Sequence, residues 1–232
     1  MAAAGDRARQ ARPARLPAGA ACAIALAVSA CTIVYDDEKA KKAPTETTDS
    51  PHAQGFDAAA WVESVWTAKV LPYFEKDAVE LGPVLAALEE DAEAAGAKFG
   101  RRPDTEGSPW SFAVKGQGVV VSVNTESRAG TMVVKVDAAS GPGEVTLQIG
   151  PVVRGTAIRD NLPFVSFGDV TNQIQFAQVS RALNDRAVGA IHAAAAALKA
   201  GTSVEFAGAM NVSASDETVL ITPITLKPAA AR

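Results

Sequence analysis

Cysteine, histidine and excess positive charge are all scarce in this chain of 232 residues. Two cysteines cannot form a disulfide framework, and two histidines cannot supply the usual histidine-rich site for a transition metal. The chain has 22 Lys and Arg against 26 Asp and Glu, and this net charge of -4 argues against binding to nucleic-acid phosphates. Apolar residues, in contrast, make up 48% of the chain, which is enough for a packed core.

The first 30 residues have the composition of a secretory signal peptide. Arg7, Arg9, Arg12 and Arg15 form a basic region, and an apolar stretch follows over residues 16–30. Because this stretch is too short to cross a bilayer comfortably, a transmembrane anchor is the less favoured alternative.

A lipid-attachment motif ends the signal peptide. In the lipobox Val28-Ser29-Ala30-Cys31, small side chains fit the signal peptidase and the Cys31 thiol carries the lipid. Cleavage before Cys31 leaves 18 basic and 25 acidic residues and an acylated N-terminus that holds the protein on a membrane. The sequence therefore predicts a lipid-anchored protein of the bacterial cell envelope, facing the periplasm or the cell exterior.

Residues 31–55 are predicted to form a flexible tether. Charged and small polar residues dominate this stretch, and its few bulky apolar side chains cannot offset the entropy cost of ordering it. His52 lies in this stretch and is expected to be solvated rather than bound to a metal.

Residues 56–107 show helical periodicity and are predicted to form a small helical domain. Asp57 is a candidate N-cap of a helix in which Trp61 and Trp66 share an apolar face. We interpret the two indole rings as core residues, with a ligand-stacking platform as the alternative.

Proline and glycine mark the ends of these predicted helices. Pro72 is expected to break the first helix or to start the next one. A further helix is expected from Pro83, with Gly96 and Gly100 closing it.

From Trp110 onward the apolar period changes to two, and residues 108–232 are predicted to form an OB-like β-barrel domain. The first strand is expected to bend at a bulge in Gly116-Gln117-Gly118. A helix with Ser180 as its candidate N-cap follows the third strand, and Pro223 in the fifth strand suits an edge position. The predicted fold class is α+β: a five-stranded OB-like β-barrel with a helix between strands three and four, preceded by a small α-helical domain.

A polar cluster between the third strand and this helix is the candidate binding site. Its side chains offer planar donors, carboxylate acceptors and amides, which suit hydroxyl-rich or carboxylate ligands. An internal network of ion pairs that fastens a long loop is the alternative. The cluster consists of Arg154, Thr156, Arg159, Asp160, Asn172, Gln173, Arg181, Asn184, Asp185 and Arg186.

The sequence contains no recognisable catalytic arrangement. Neither His52 nor His192 has the context of a base beside a serine nucleophile, and acylation removes Cys31 as a nucleophile. Nothing in the spacing of the aspartates indicates the paired carboxylates of a glycosidase. We therefore predict no enzyme, no cofactor and no metal site.

Nucleic acid is not an expected partner. OB-like barrels bind single strands through aromatic rings on a basic groove, whereas the outward positions here are of mixed charge and contain no aromatic residue. These positions are Thr131, Lys135, Asp137, Glu144, Thr146 and Gln148.

Several segments together resemble one known family. They are the lipobox and the sequences at 70–72, 155–160, 164, 171–173 and 182–186. With these, the chain resembles an uncharacterised family of predicted periplasmic lipoproteins that are often encoded beside ribose-type sugar ABC transporters. The resemblance implies an OB-like barrel joined to a small helical domain and a link with sugar uptake, and it brings no catalytic residues.

Three functions are compatible with these observations. The leading hypothesis is an accessory protein, anchored to the membrane by its N-terminal lipid, that docks onto sugar ABC transporter components. The first alternative is direct binding of a small sugar or oligosaccharide by the polar cluster of residues 154–186. The second alternative is a purely structural envelope lipoprotein.

Overall fold

The computed structural model describes residues 55–102, 108–138, 141–170, 172–212 and 218–229. The signal peptide, the lipidated Cys31, the tether up to residue 54 and His52 lie outside these ranges. In the described ranges, no helix has both the length and the apolar character that a membrane crossing requires.

The described chain forms six α-helices and six β-strands. The helices are α1 (Ala58–Val65), α2 (Leu71–Asp77), α3 (Leu81–Glu90), α4 (Ala92–Phe99), α5 (Ala157–Asn161) and α6 (Gln173–Ala197), with a π-helical turn at Trp66–Val70 and a 3₁₀ turn at Phe167–Asp169. The strands are β1 (Val79–Glu80), β2 (Trp110–Asn124), β3 (Thr131–Ala138), β4 (Gly141–Gln148), β5 (Ser203–Val212) and β6 (Leu220–Pro228).

The strands form one sheet whose ends meet. Their order is β1-β2-β3-β4-β6-β5, and a further pairing of β2 with β5 closes β2 to β6 into a ring. The predicted order of three strands, a helix and two strands is confirmed within this ring. The predicted count of five strands is wrong by one, because Val79–Glu80 pairs in parallel with β2 from within the helical segment. Two residues are too few to show a period of two in the sequence.

The break in side-chain alternation lies later in β2 than predicted. Val114 and Val120 both face the core, so the alternation continues through Gly116-Gln117-Gly118. The register against β3 shifts instead between Val120 and Ser122.

Position 118 requires glycine because neighbouring strands approach β2 closely there, and not because of a bulge. It pairs with Val204 of β5 on one side and with Val136 of β3 on the other. A Cβ at this position would collide with the carbonyl oxygen of Lys135 and the side chain of Val134. Glycine therefore lets β2 pass between two strands.

Helix α1 begins as predicted, with the Asp57 carboxylate accepting a hydrogen bond from the N–H of Ala60 at 3.0 Å. The helical segment then continues through the π turn, where the Leu71 N–H bonds to the Trp66 carbonyl. Pro72 lies in the first turn of α2, one of its two predicted roles.

The helix predicted over 83–96 is in fact two helices. The carboxylate of Asp91 caps α4 by accepting two backbone N–H bonds of 2.9 and 3.0 Å, which ends α3 one residue earlier. Gly96 lies inside α4 rather than at a helix end. Glycine is required there because the ring of Trp110 leaves no room for a Cβ.

Helix α6 begins earlier than predicted, and Ser180 is a buried residue within it rather than its cap. Its N-cap is Asn172, whose side-chain oxygen accepts the N–H of Gln175 at 2.9 Å. Gly201 follows the helix with a φ of +86°, a conformation that favours glycine. One side of α6 is buried, and its residues include Val179, Leu183, Ala187, Ile191 and, just past the end, Leu198.

Two hydrophobic clusters make up the core. The first is built mainly from the strands and takes Leu81 and Val84 from α3 and Ile191 from α6. The second lies among α1, α2, α5 and α6 and contains the fully buried Trp66, with Trp61 packed against it. The interpretation of the two tryptophans as core residues is thus confirmed. The division into domains at residue 107 stays a prediction.

Candidate functional site

The centre of the predicted polar cluster is the buried carboxylate of Asp160 on α5. Its side chain is 5% exposed and accepts hydrogen bonds from Thr156 Oγ1 at 2.5 Å and from Arg159 Nε and Nη2 at 2.8 and 2.6 Å. Asn211 Nδ2 lies 3.4 Å from the same carboxylate. A buried carboxylate with this many donors is satisfied within the protein.

Arg159 is held on both of its sides. Its guanidinium pairs with Asp160 and lies 3.9 Å from the centre of the Phe176 ring, and its side chain is only 14% exposed. The contacts of Arg159 therefore join α5 to α6.

The network continues into the ring through two residues that the sequence analysis did not select. Ser111 of β2 and Asn211 of β5 are cross-strand partners, and Ser111 Oγ donates to Asn211 Oδ1 at 2.6 Å. Both strands contain other polar residues, such as Lys115 in β2 and Glu205 in β5, so no signal in the sequence singled out this pair.

The side-chain amide of Gln148 holds the loop after β4 by pairing with the backbone of Arg154, as a neighbouring strand would. Its Oε1 accepts the N–H of Arg154 at 2.7 Å, and its Nε2 donates to the Arg154 carbonyl at 3.0 Å. The same Nε2 donates to Thr222 Oγ1 of β6 at 2.9 Å. Arg154 thus enters the site through its backbone, and Gln148, predicted to face outward, is buried beneath the loop.

The remaining members of the cluster do not converge on one point. Asn184 Nδ2 donates to the Gly155 carbonyl at 3.1 Å, whereas Asn172 caps α6 and Gln173 is exposed beside it. Arg181 and Asp185 lie 3.8 Å apart, with side chains 86% and 60% exposed. Arg186 pairs instead with Glu63 of α1 and lies over the Trp66 ring.

Two clefts adjoin the loop at 154–156. We call the larger one, of about 570 Å³, the threonine cleft; it is lined by Thr131, Thr146, Gln148, Arg154, Asn211, Thr218 and Thr222, with Ala129, Gly155, Ala157 and Leu220. The smaller cleft, of about 340 Å³, contains Arg128, Arg159, Arg181 and Asp185. Gly155 lines both clefts, and its φ of +85° favours glycine.

An apolar patch lies at the beginning of α6. Phe167 is 51% exposed and Ile174 is 71% exposed. Phe167 meets Phe176 edge to face, with ring centres 5.7 Å apart. We give the name apolar patch to Phe167, Phe176 and Ile174, of which Phe167 and Phe176 are in contact and Ile174 lies two positions before Phe176 on α6.

The turn that carries Phe167 is fixed by a capping box. The Asp169 carboxylate accepts the backbone N–H of Ser166 at 2.7 Å and its hydroxyl at 2.8 Å. These two hydrogen bonds hold the pKa of Asp169 below its ordinary value, and the bond from the Ser166 hydroxyl has the larger effect.

In the part of the chain that the structure describes, no three His, Cys, Asp or Glu side chains come together as ligands for a metal ion. Helix α6 places His192 on its exposed side.

The closed ring of strands with a helix between β4 and β5 defines an OB-like protein. An OB-fold protein from Thermotoga maritima is similar to this chain, with a TM-score of 0.63 and 19% identity over 76% of this chain and 100% of that one. This likeness shows the fold alone and confirms the predicted OB-like, α+β class. An OBody bound to hen egg-white lysozyme matches 57% of this chain and 90% of its own, at 19% identity and a TM-score of 0.25, too low to support an argument.

The family follows from the sequence comparison. Residues 21–227 match the model of a family described as predicted periplasmic lipoprotein (DUF2291), and the chain belongs to this family. No curated protein matches the chain. The predicted family and the predicted location, a lipid-anchored protein of the cell envelope, are both confirmed.

Proposed function

We propose that this lipoprotein is a non-catalytic accessory protein that docks onto a component of a sugar ABC transport system. The observation that carries the proposal is the apolar patch at the beginning of α6. Phe167 and Ile174 expose apolar surface to water at neighbouring points of the chain, and exposed apolar patches mark interaction sites. The resemblance to lipoproteins encoded beside such transporters supports the choice of partner.

The rigidity of the patch supports docking. The capping box holds the turn of Phe167, and Phe176 is fixed between Phe167 and the guanidinium of Arg159. Side chains that are ordered before binding lose little conformational entropy when a partner covers them. A lipid anchor at Cys31 would keep this surface close to membrane-bound transport proteins.

The test is recovery of transport subunits after crosslinking and solubilisation of membranes. We expect the native lipoprotein to recover a substrate-binding protein or a permease of a sugar ABC transporter. Ile174→Asp should reduce this recovery at least about tenfold, because it places a charge in the apolar contact. Gln173→Asp is the matched control, since it adds the same charge to the adjacent exposed residue without removing apolar surface.

Two results would contradict docking through this patch. One is a native lipoprotein that recovers no transport component. The other is an Ile174→Asp variant that recovers as much as the Gln173→Asp control.

A structural role is the second candidate function, and the burial of Asp160 favours it. The polar network of Asp160, Arg159 and Asn211 joins α5, α6 and β5, and its hydrogen bonds are made within the protein. Retention of transport in cells that lack the chain, together with an altered envelope, would favour this role over docking.

A further inference from the structure

We propose that the threonine cleft binds an uncharged, hydroxyl-rich small molecule. The cleft lies on the outer side of β3, β4 and β6, apart from the apolar patch, and it does not depend on the docking function. Its volume of about 570 Å³ is within the range of sites that hold small molecules.

The floor of the cleft is held rigid by hydrogen bonds from behind. Gln148 is fixed by three bonds to Arg154 and Thr222. Asn211 is fixed by Ser111 and, more weakly, by Asp160. Binding sites need polar side chains whose orientation is set before the ligand arrives, and these two amides meet that condition.

Hydrogen-bonding capacity remains on the cleft side. In the described ranges, the hydroxyls of Thr131 and Thr146 make no hydrogen bond, and the Thr222 hydroxyl accepts one from Gln148 without donating one. Each of these hydroxyls can both donate and accept a hydrogen bond, and Gln148 Oε1 can accept a second one. A ligand hydroxyl is the matching group, because it also donates and accepts.

The charge of the cleft argues for an uncharged ligand. Among the described residues, no carboxylate lines it, and Asp160 is paired with Arg159 outside the lining. A cationic ligand would therefore find no carboxylate partner among these residues. Arg154 is the single charged side chain among the described lining residues and is exposed, so an anion would gain only a solvent-screened contact.

The test is calorimetric titration of the lipid-anchored protein in a polyoxyethylene detergent, which avoids the sugar head groups of maltosides. The probes are neutral pentoses, hexoses and trisaccharides, with a uronic acid and an amino sugar as charged counterparts. We expect at least one neutral probe to bind, and neither charged counterpart to bind more tightly than the matching neutral sugar.

The variant Thr146→Val removes one free hydroxyl with little change in shape. We expect it to weaken binding of the neutral probe about tenfold, whereas Thr225→Val, the same change on an exposed face of β6 outside the cleft, leaves binding unchanged. Ile174→Asp should also leave binding unchanged, which separates this site from the docking patch.

The inference is overturned if no neutral probe binds up to about 10 mM. Stronger binding of the uronic acid than of the neutral sugar, lost in Arg154→Ala, would also reject it. So would equal effects of Thr146→Val and Thr225→Val.

Discussion

At the scale of single residues, Asp160 and Arg159 show how both members of a charged pair can be held by contacts within the fold. Both charges are removed from solvent, and the pair is supported by Thr156 and by the Phe176 ring. A pair of this kind adds little compared with apolar packing, but loss of one partner leaves the other charge buried without compensation.

We expect Arg159→Ala to lower the free energy of unfolding by about 3 kcal/mol, because Asp160 loses its cation. Arg181→Ala is the matched control, and its effect should stay within about 0.5 kcal/mol, since this exposed pair is solvated. Urea unfolding of the two variants measures both values. Equal losses would show that Arg159 does not hold α5 against α6.

Asp169 provides a prediction for pH. Its pKa lies below the ordinary value of 3.8 because the Ser166 hydroxyl and N–H donate to the carboxylate. The stabilisation is therefore complete above that ordinary value and is lost as the pH falls through the lowered pKa. Titration of the side-chain carboxyl by NMR should show a rise in the pKa of Asp169 in Ser166→Ala; an unchanged pKa would contradict the capping box.

At the scale of elements, β2 is the strand on which the ring depends, because it pairs with β1, β3 and β5. Its second half changes partner from β5 to β3 around Gly118. The absence of a side chain at this residue is what allows both neighbours to approach.

Gly118→Ala should lower the free energy of unfolding by about 2 kcal/mol, because the added Cβ meets a backbone carbonyl that cannot move away. Gly189→Ala in α6 is the control, since an added Cβ there meets nothing within 4 Å. This control should stabilise the chain by about 0.5–1 kcal/mol through helix propensity. Thermal unfolding of both variants tests the contrast, and a neutral Gly118→Ala would refute the close approach.

The long elements could be predicted from the sequence, and the places where they meet could not. The apolar side of α6 and the alternation in β3, β4 and β5 follow from periodicity alone. The start of α6 was missed because Ile174 and Phe176 precede the regular apolar side and lie at the surface or edge of the core. The bulge was placed at glycines, whereas the register shift falls among valines, which look alike on both faces of a strand.

The candidate site shows the same limit. Arg159 and Asp160 are adjacent in sequence and were selected, but Ser111 and Asn211 become neighbours only through the pairing of β2 with β5. Gln148 was predicted to face outward because no local pattern shows that a later loop will cover it. The residues that line the threonine cleft were therefore beyond the reach of spacing arguments.

At the scale of the whole molecule, family, fold and location agree. A lipoprotein of the envelope is expected to display its binding surfaces on a body tied to a membrane, and this chain places an apolar patch and a polar cleft on separate parts of its OB-like body. Docking at the patch and solute binding in the cleft, as proposed above, would then be able to occur at the same time.

The ring has a weak junction between β4 and β6. Within the residues that the structure describes, β4 and β6 share two register pairs, at Thr146 with Leu220 and at Leu147 with Ile221, whereas β2 and β5 share ten. The amide of Gln148 extends this short junction by reaching Thr222. Local opening of the fold should therefore begin at this junction, and a solute bound across it would hold β4 and β6 together.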